Sequence, residues 1–422
     1  MQDKVKATKM HEWHMSNGAN MGNFGNYDMP LWYPKGAKEE HLSVVTAAGL
    51  FDTSHMAAVT VTGEHAFDLL QLCFSKDLNS CIGKSKTPIE IGKCVYGVFL
   101  DEEGGVIDDA IVYKLETNIY MIVVNAAMGG TIAATLESKK ENNIVMIEDL
   151  TDKLGKMDVQ GPNSAKILSK IIKNPEKVFE SFGYFNFKGH HNDASMLSDD
   201  VRLLDGTPIL LSRTGYTGEF GFEIFVDENK TLELWEKIIE AGAEFDLVPC
   251  GLASRDSLRA GAVLPLSHQD IGSWPFSNNP WHFALPYNVT ISDFTKDFVG
   301  ASALKNIKDR KYTYPFAGFD LRKIATENSK VLDESGNEIG TVLTCATDMA
   351  IGRSDGKIYS ITSPDKPEMK IKGLCCGFVQ INTLTKSGQT IYLSDGKRKL
   401  KVEIRSDVRP DRTARKRIKD MI

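Results

Sequence analysis

Two adjacent carboxylates in an apolar stretch, residues 106–113 (VIDDAIVY), are the first groups in this sequence that could do chemistry. A β-strand here would place Asp109 on one face with Ile111 and Tyr113, and Asp108 on the other. Because both faces are mainly apolar, at least one carboxylate should be buried, where it is neutralised or needs a partner. A site that handles a proton or binds an N–H-rich ligand would explain this, and we favour Asp109. An aspartate pair that accepts from turn amides explains the pattern equally well.

A third candidate carboxylate lies in the glycine-rich stretch 212–226, SRTGYTGEFGFEIFV. Its three glycines permit tight turns before a strand, and strand alternation places Glu223 opposite Phe222 and Ile224. The Glu223 carboxylate could accept two parallel N–H bonds, as the 2-amino group and ring N–H of a pterin would offer. The alternative is a glycine-rich hairpin with a solvent-facing glutamate, which these residues taken alone favour.

Two arginines follow a Pro/Gly turn in residues 249–259, PCGLASRDSLR. Arg255 and Arg259 would lie one turn apart on the same face of a helix. Two guanidinium groups so placed could clamp a carboxylate. A structural network of arginines and aspartates inside the helix is the alternative, and it is common in proteins.

Composition and missing motifs narrow the class of protein. The chain has 422 residues, a formal net charge of -6 and seven cysteines without CxxC spacing. We therefore expect two or three domains, reduced thiols, and neither a nucleic-acid nor a membrane partner. With no secretory signal visible, we expect a cytoplasmic protein. No HExxH or spaced Cys/His set occurs, so no metal is expected, and no phosphate-cradling glycine loop occurs either. The basic run 405–419 is expected to be a solvated tail.

Hydrophobic periodicity predicts an α+β architecture with a change of character near residue 312. Beyond it, short strand-like runs separated by Gly, Asp, Asn and Ser predict a small β-barrel or sandwich. Before it, helices and strands alternate irregularly. The predicted helices are 38–49, 63–73, 130–139, 165–172, 232–241 and 302–309, and the predicted strands are 94–100, 106–115, 121–124, 154–159, 209–212 and 221–226.

Several stretches, in this order, resemble the glycine-cleavage T-protein (aminomethyltransferase) family. The resemblance covers most of residues 10–305, and the ordered set is highly specific, whereas the C-terminal β-domain resembles the family loosely. The matching stretches are HEWHMSNGANMGNFGNYDMPLWY, GLFDTSHM, GGVIDDAIVYK, VVNAA, VQGPNS, SRTGYTGEFGFE, CGLASRDSLR and DFVG.

The resemblance implies a three-domain fold around a central channel that holds tetrahydrofolate. Residues 1–310 would form two interwoven α+β subdomains of the folate-binding region, and 311–422 a C-terminal β-barrel domain. The implied activity is transfer of an aminomethyl group from a lipoyl carrier protein to tetrahydrofolate, with release of ammonia. The nucleophile is then N5 of the folate, and the protein supplies positioning and proton management.

The resemblance also assigns roles to particular residues. Asp109 matches the catalytic aspartate beside folate N5, Glu223 matches the carboxylate that grips the pterin, and Arg255 matches a helix arginine that lines the site. Further positions at or near the folate are Met56, Tyr96, Tyr113, Val123, Tyr184 and Tyr216.

The sequence departs from the family on the side of the donor substrate. The family usually continues its arginine helix with Leu-Glu-Ala-Gly, but here Arg259 is followed by Ala-Gly-Ala, so a glutamate is missing. The next segment adds Trp274, Trp281 and His282, which are candidate substrate residues. The tryptophans could frame a small methylated cation through cation–π contacts, although core or interface roles are the simpler explanation.

These departures keep two other functions open. A tetrahydrofolate-dependent demethylase would take a methyl group from a small methylated compound instead of a lipoyl carrier. A non-enzymatic folate-binding protein of the same superfamily is the other alternative. The intact context of Asp109 favours an enzyme over that role.

Overall fold

The computed structural model describes residues 5–140, 144–192 and 200–422. Within them the helices are α1 (His11–Ser16), α2 (Gly36–Thr46), α3 (Ala66–Cys73), α4 (Gly129–Lys139), α5 (Ser164–Ser169), α6 (Pro175–Phe179), α7 (Thr231–Gly242), α8 (Leu252–Gly261) and α9 (Ala301–Lys305). The strands are β1 (Asn20–Phe24), β2 (Tyr27–Trp32), β3 (Ala48–Asp52), β4 (Ala57–Thr62), β5 (Cys94–Leu100), β6 (Val106–Glu116), β7 (Ile119–Val124), β8 (Met146–Asp149), β9 (Leu154–Gln160), β10 (Phe187–Gly189), β11 (Leu210–Ser212), β12 (Gly221–Asp227), β13 (Leu247–Cys250), β14 (Tyr312–Gly318), β15 (Lys330–Leu332), β16 (Glu338–Asp348), β17 (Ile351–Ser354), β18 (Lys357–Ser360), β19 (Leu374–Ile381), β20 (Thr390–Ser394) and β21 (Lys399–Ile404).

A six-stranded sheet in the order β10-β11-β12-β9-β3-β13 forms one wall of the molecule. Alternate residues of β12 point to opposite faces. Phe222 and Ile224 therefore enter the hydrophobic core beneath helices α5 and α7, where they join Trp235 and Ile238. The intervening residue Glu223 points to the other face of the sheet.

A five-stranded antiparallel sheet in the order β5-β6-β7-β4-β8 forms the facing wall. Its outer face buries Val112 and Ile122 with Leu70 of α3 and Leu136 of α4. The chain leaves the six-stranded sheet after β3, builds this second sheet, and returns to the first at β9. The two sheets are thus interwoven along the sequence.

A hydrophobic cluster joins the inner faces of the two sheets. Tyr113 of β6 and Val123 of β7 pack in one cluster with Leu210 of β11 and Phe225 of β12. Because strands alternate, the polar neighbours of these residues can face the same interior space. The inner faces of the two sheets therefore also carry the side chains that could do chemistry.

The C-terminal strands close into a barrel in the order β14-β19-β16-β15-β20-β21. Its interior is filled by apolar side chains that include Phe316, Val331, Val379, Ile391 and Val402. Closure pairs every strand of the barrel with two neighbours, which removes the exposed sheet edges of an open sheet. The α+β class and the C-terminal barrel predicted from periodicity are confirmed. The division into domains at residue 310 stays a prediction, and the first barrel strand begins at Tyr312.

Three predicted helices are too long at their C-terminal ends; those expected over 165–172 and 302–309 stop at Ser169 and Lys305. The helix expected over 38–49 stops at Thr46, because Ala48–Asp52 forms strand β3. This strand is buried along its whole length between β9 and a parallel partner, β13. A strand buried on both faces has a continuous apolar run, which periodicity alone does not separate from helix. Within the described residues, no helix combines the length and the apolar character needed to cross a membrane.

The basic C-terminal run is solvated only in part: Arg415, Lys416, Arg417 and Lys419 are exposed as expected, but Arg409 is completely buried. Its Nε donates to Glu219 Oε1 at 3.0 Å, and its Nη1 donates to Asp348 of the barrel. Its Nη2 donates to the carbonyl of Leu258 in α8 at 3.3 Å and to the carbonyl of Thr217. Arg409 thus ties the C-terminal segment to the barrel, to α8 and to the β11–β12 connection.

We predict that Arg409→Met strongly destabilises the protein. Removing the guanidinium leaves the carboxylates of Asp348 and Glu219 buried without this cation, which typically costs ~3–5 kcal/mol. Urea unfolding monitored by circular dichroism should show a clearly lowered midpoint. Arg417→Met is the matched control, since Arg417 pairs with Asp420 at the surface and should leave the midpoint nearly unchanged. Equal midpoints for Arg409→Met and the unsubstituted protein would contradict the assignment.

Candidate active site

A cavity of about 1300 Å³ lies between the two sheets, α8 and the C-terminal segment. Its wall also includes residues 262–266, Pro280, Trp281 and Phe283. Pockets for single small ligands usually measure ~300–1,000 Å³, so this space can hold a large ligand together with a second reactant. Both carboxylates favoured from the sequence, Asp109 and Glu223, line it.

Asp109 projects from β6 into the cavity and is held by two donors. The Tyr96 hydroxyl donates to Oδ2 at 2.8 Å, and the Asn125 amide nitrogen donates to Oδ1 at 2.7 Å. The same Asn125 nitrogen donates to Oδ1 of Asp108 at 2.7 Å, so its two hydrogens serve two carboxylates. The orientation of Asp109 is therefore fixed before any ligand enters.

Burial and charge set the proton affinity of Asp109. Burial, together with the neighbouring Asp108 carboxylate, raises the pKa of Asp109 to about 7, although the donors Tyr96 and Asn125 act in the opposite direction. Burial also raises the pKa of Asp108, which is completely shielded from solvent. No cation forms an ion pair with Asp109 among the described residues. Asp109 can thus gain or lose a proton near neutral pH, as a general acid or base must.

Asn125 is a site residue that was not predicted from the sequence. It follows the last residue of β7, Val124, and its backbone N–H donates to Asp108 Oδ2 at 2.9 Å. Its signal in the sequence is an amide that ends the apolar run of a strand in the motif VVNAA. Only the pairing of β6 with β7, which sets Ala110 opposite Val124, brings this amide to the aspartates.

Glu223 faces inward from β12 and is bound by the protein on both oxygens. Lys156 Nζ donates to Oε1 at 2.6 Å, and the Thr214 hydroxyl donates to Oε2. The expectation of a solvent-facing glutamate in a hairpin is therefore wrong, since Glu223 is buried on the cavity wall. Strand pairing explains the direction: register with β9 and β11 places Glu223 between Asp158 and Ser212.

Arg255 belongs to a buried network with Asp158 of β9. Its Nη1 donates to Asp158 Oδ2 at 2.7 Å, and its guanidinium lies 5.1 Å from the ring centroid of Tyr216. Burial by itself would raise the pKa of Asp158, but the charges of Lys156 and Arg255 outweigh burial and hold this pKa at about 2. Arg259, one turn later, is bound by Asp270 and Asp256. The network of arginines and aspartates is thus present, and a two-arginine clamp is not, although both arginines line the cavity.

The residues assigned by resemblance do not all reach the cavity. Tyr113 is the exception: it is completely buried in the core between the sheets, with ring centroids 5.2 Å from Phe187 and 5.9 Å from Phe225. A direct ligand contact by Tyr113 is therefore not supported, because β6 turns its side chain into the inter-sheet core. The others line the cavity: Met56, Tyr96, Val123, Tyr184, Tyr216, Glu223 and Arg255.

Of the three candidate substrate residues, only Trp281 lines the cavity. It is 2% exposed, and its Nε1 donates to the carbonyl of Val263 at 2.9 Å. Trp274 packs over Gly272, where a positive φ of 66° turns the chain, and His282 lies at the surface. The structure therefore does not bring either side chain to the cavity. Phe283, next to His282, lines the cavity instead, 5.9 Å from the ring of Tyr96.

Comparisons with known proteins identify the family and the fold. A family model described as the GCVT N-terminal domain matches residues 10–277. Aminomethyltransferases from two strains of Staphylococcus epidermidis are each 32% identical over 356 residues, which is 84% of this chain and 90% of theirs. The crystal structure of glycine cleavage system aminomethyltransferase T from Bartonella henselae superposes with a TM-score of 0.74 at 23% identity.

The structural match covers 95% of this chain and 97% of the Bartonella henselae chain, so the two share their fold across nearly their whole length. The family model covers well over half of the sequence, including β6 and β12, which carry Asp109 and Glu223. The family indicated by the ordered motifs is confirmed. The chain belongs to the GCVT family, the family of the glycine-cleavage T-protein.

Proposed function

We propose that this protein transfers a one-carbon unit to tetrahydrofolate, taking it as an aminomethyl group from a lipoyl carrier protein and releasing ammonia. The family and the names of the relatives support this class of transferase. The observation that carries the proposal is Asp109, a preoriented carboxyl group whose pKa is raised to about 7 on the wall of a large cavity. A transfer that moves protons near neutral pH requires such a group.

The cavity residues fit tetrahydrofolate. Each oxygen of the Glu223 carboxylate accepts one bond from the protein, from Lys156 or Thr214, and an ionised carboxylate oxygen can accept two. One acceptor position therefore remains on each oxygen for the paired N–H groups of a pterin. Tyr216 and Tyr184 supply aromatic surface on the same cavity.

Asp109 would act on the proton of the reacting nitrogen. Tetrahydrofolate supplies the nucleophile, N5, when it is bound. Asp109 accepts the proton that this nitrogen loses, while Tyr96 and Asn125 keep the carboxylate in one orientation. Burial and the neighbouring Asp108 raise the proton affinity of Asp109, which makes its carboxylate a better proton acceptor; the departing ammonia, a stronger base than this carboxylate, would then take the proton.

A donor assay tests this function directly. We predict that the protein, given tetrahydrofolate and an aminomethyl-lipoyl carrier protein, produces methylene-tetrahydrofolate and ammonia, both detected by mass spectrometry and a coupled assay. A parallel panel contains methylated amines, sulfonium compounds and methoxylated aromatics. Formation of 5-methyl-tetrahydrofolate from the panel, without product from the carrier, would replace the proposal with a demethylase. Binding of tetrahydrofolate with no product from either donor would indicate a non-enzymatic role.

Asp109→Asn should separate catalysis from binding. The amide keeps the size of the side chain but cannot accept the proton, so kcat should fall about 100-fold or more. The dissociation constant of tetrahydrofolate, measured by fluorescence quenching, should stay within about threefold, because Glu223 is intact. Asp365→Asn is the control, an exposed carboxylate that pairs with Lys357 at the surface and does not line the cavity. Near-normal kcat in Asp109→Asn would remove Asp109 from the mechanism.

The rate should also depend on pH through Asp109. Below its pKa of about 7 the carboxyl group is protonated and cannot accept a proton, so kcat/KM should fall as the pH drops from 8 to 6. Because Asp108 and Asp109 interact, the observed pKa belongs to the pair. A stopped assay from pH 5.5 to 9 measures the profile. A rate that rises toward low pH would assign Asp109 the opposite role, that of a proton donor.

A further inference from the structure

Lys156 is a buried cation that the proposed chemistry does not use. It lies on β9, is 3% exposed and does not line the cavity. All three hydrogens of its ammonium group have acceptors: Glu223 Oε1 at 2.6 Å, Asp158 Oδ1 at 2.8 Å and Thr53 Oγ1 at 3.2 Å. A saturated ammonium group has no hydrogen left for a ligand, so any effect of Lys156 on a ligand must act through its partners.

Lys156 contacts two carboxylates, and only one of them has no other cationic partner among the described residues. Asp158 Oδ2 also accepts a hydrogen bond from Arg255 Nη1 at 2.7 Å, so this carboxylate would keep a cationic partner if Lys156 were removed. Glu223 has no second cationic partner among the described residues, and its other donor is the neutral hydroxyl of Thr214. A buried charge is costly unless it is paired and hydrogen-bonded. Lys156 is therefore the partner that makes a charged Glu223 tolerable on this wall.

The two donors also fix the direction of the Glu223 carboxylate. Lys156 holds Oε1 from β9, and Thr214 holds Oε2 from the β11–β12 connection. With both oxygens anchored from the protein side, the plane of the carboxylate cannot turn freely. The remaining acceptor position on each oxygen then has a set direction.

We propose that Lys156 is a positioning residue that holds the Glu223 carboxylate ready to accept two adjacent N–H groups, and that it thereby sets the preference of the cavity for ligands with such an edge. The inference rests on the proposed function, because the 2-amino and ring N–H groups of a pterin form this edge. Lys156 acts from behind Glu223 and does not touch the ligand.

The test combines a protein variant with a ligand that lacks one N–H group. Binding of 5-formyl-tetrahydrofolate and of its 2-desamino analogue is measured by isothermal titration calorimetry. The unsubstituted protein should bind the first about 10-fold or more tightly than the second, since a hydrogen bond to a charged group is lost. In Lys156→Met the ratio should shrink to about twofold, with the affinity for the desamino analogue nearly unchanged.

Two further variants separate positioning from a purely structural role. Lys153→Met is the matched control, because Lys153 pairs with Glu148 at the surface, and it should keep the full ratio. Lys156→Arg keeps the positive charge but changes the position of its donors, and it decides the matter if Lys156→Met does not fold. If charge alone matters, Lys156→Arg keeps the full ratio, which overturns the proposal; a reduced ratio supports it.

The outcomes also separate this inference from the function on which it rests. An equal loss of affinity for both ligands in Lys156→Met would assign Lys156 a structural role and overturn the inference. An unchanged ratio in Lys156→Met would overturn it too, while folate binding stands. Failure of the unsubstituted protein to bind 5-formyl-tetrahydrofolate would instead overturn the proposed function.

Discussion

The buried guanidinium of Arg409 is the constraint on which the cavity depends, because the parts of the chain that it joins also form the cavity walls. It holds Asp348 of the barrel, Glu219 of the β11–β12 connection and the carbonyl of Leu258 in α8. Residues from that connection, from α8 and from the C-terminal segment line the cavity. A cation that is completely buried needs several hydrogen-bond acceptors at once, and so it fixes the relative positions of these acceptors.

The contact of Arg409 with the barrel and α8 also explains one departure from the family pattern. Where the family usually has a glutamate after its arginine helix, this chain has Gly261. A Cβ atom at that position would lie 1.8 Å from Asp348 Oδ2 and 3.0 Å from Arg409 Nη1. A side chain there would displace the carboxylate that Arg409 holds. The glycine thus belongs to the packing between α8 and the barrel, and its neighbour Ala262 lines the cavity.

The cavity uses its carboxylates in two ways, and the difference lies in their neighbours. Burial and the second carboxylate beside it raise the pKa of Asp109 to about 7, and its donors are neutral groups instead of cations. Asp158 has two cations, and its pKa is held at about 2. A proton can move at the first and stays off the second near neutral pH. This separation suits a site in which one group handles protons while a fixed ionic wall binds the ligand.

The sequence by itself determined the class of fold, the family and the two cavity carboxylates, because strand alternation and ordered motifs are local properties. Trp281, which was also a candidate from the sequence, lines the cavity. Trp274 and His282, which were candidates on the same grounds, do not. The partners of those carboxylates, Asn125 for Asp109 and Lys156 for Glu223, were decided by strand pairing between segments far apart in the chain. Whether a charged residue is exposed or buried depends on what packs against it, and only the tertiary structure supplies that neighbour.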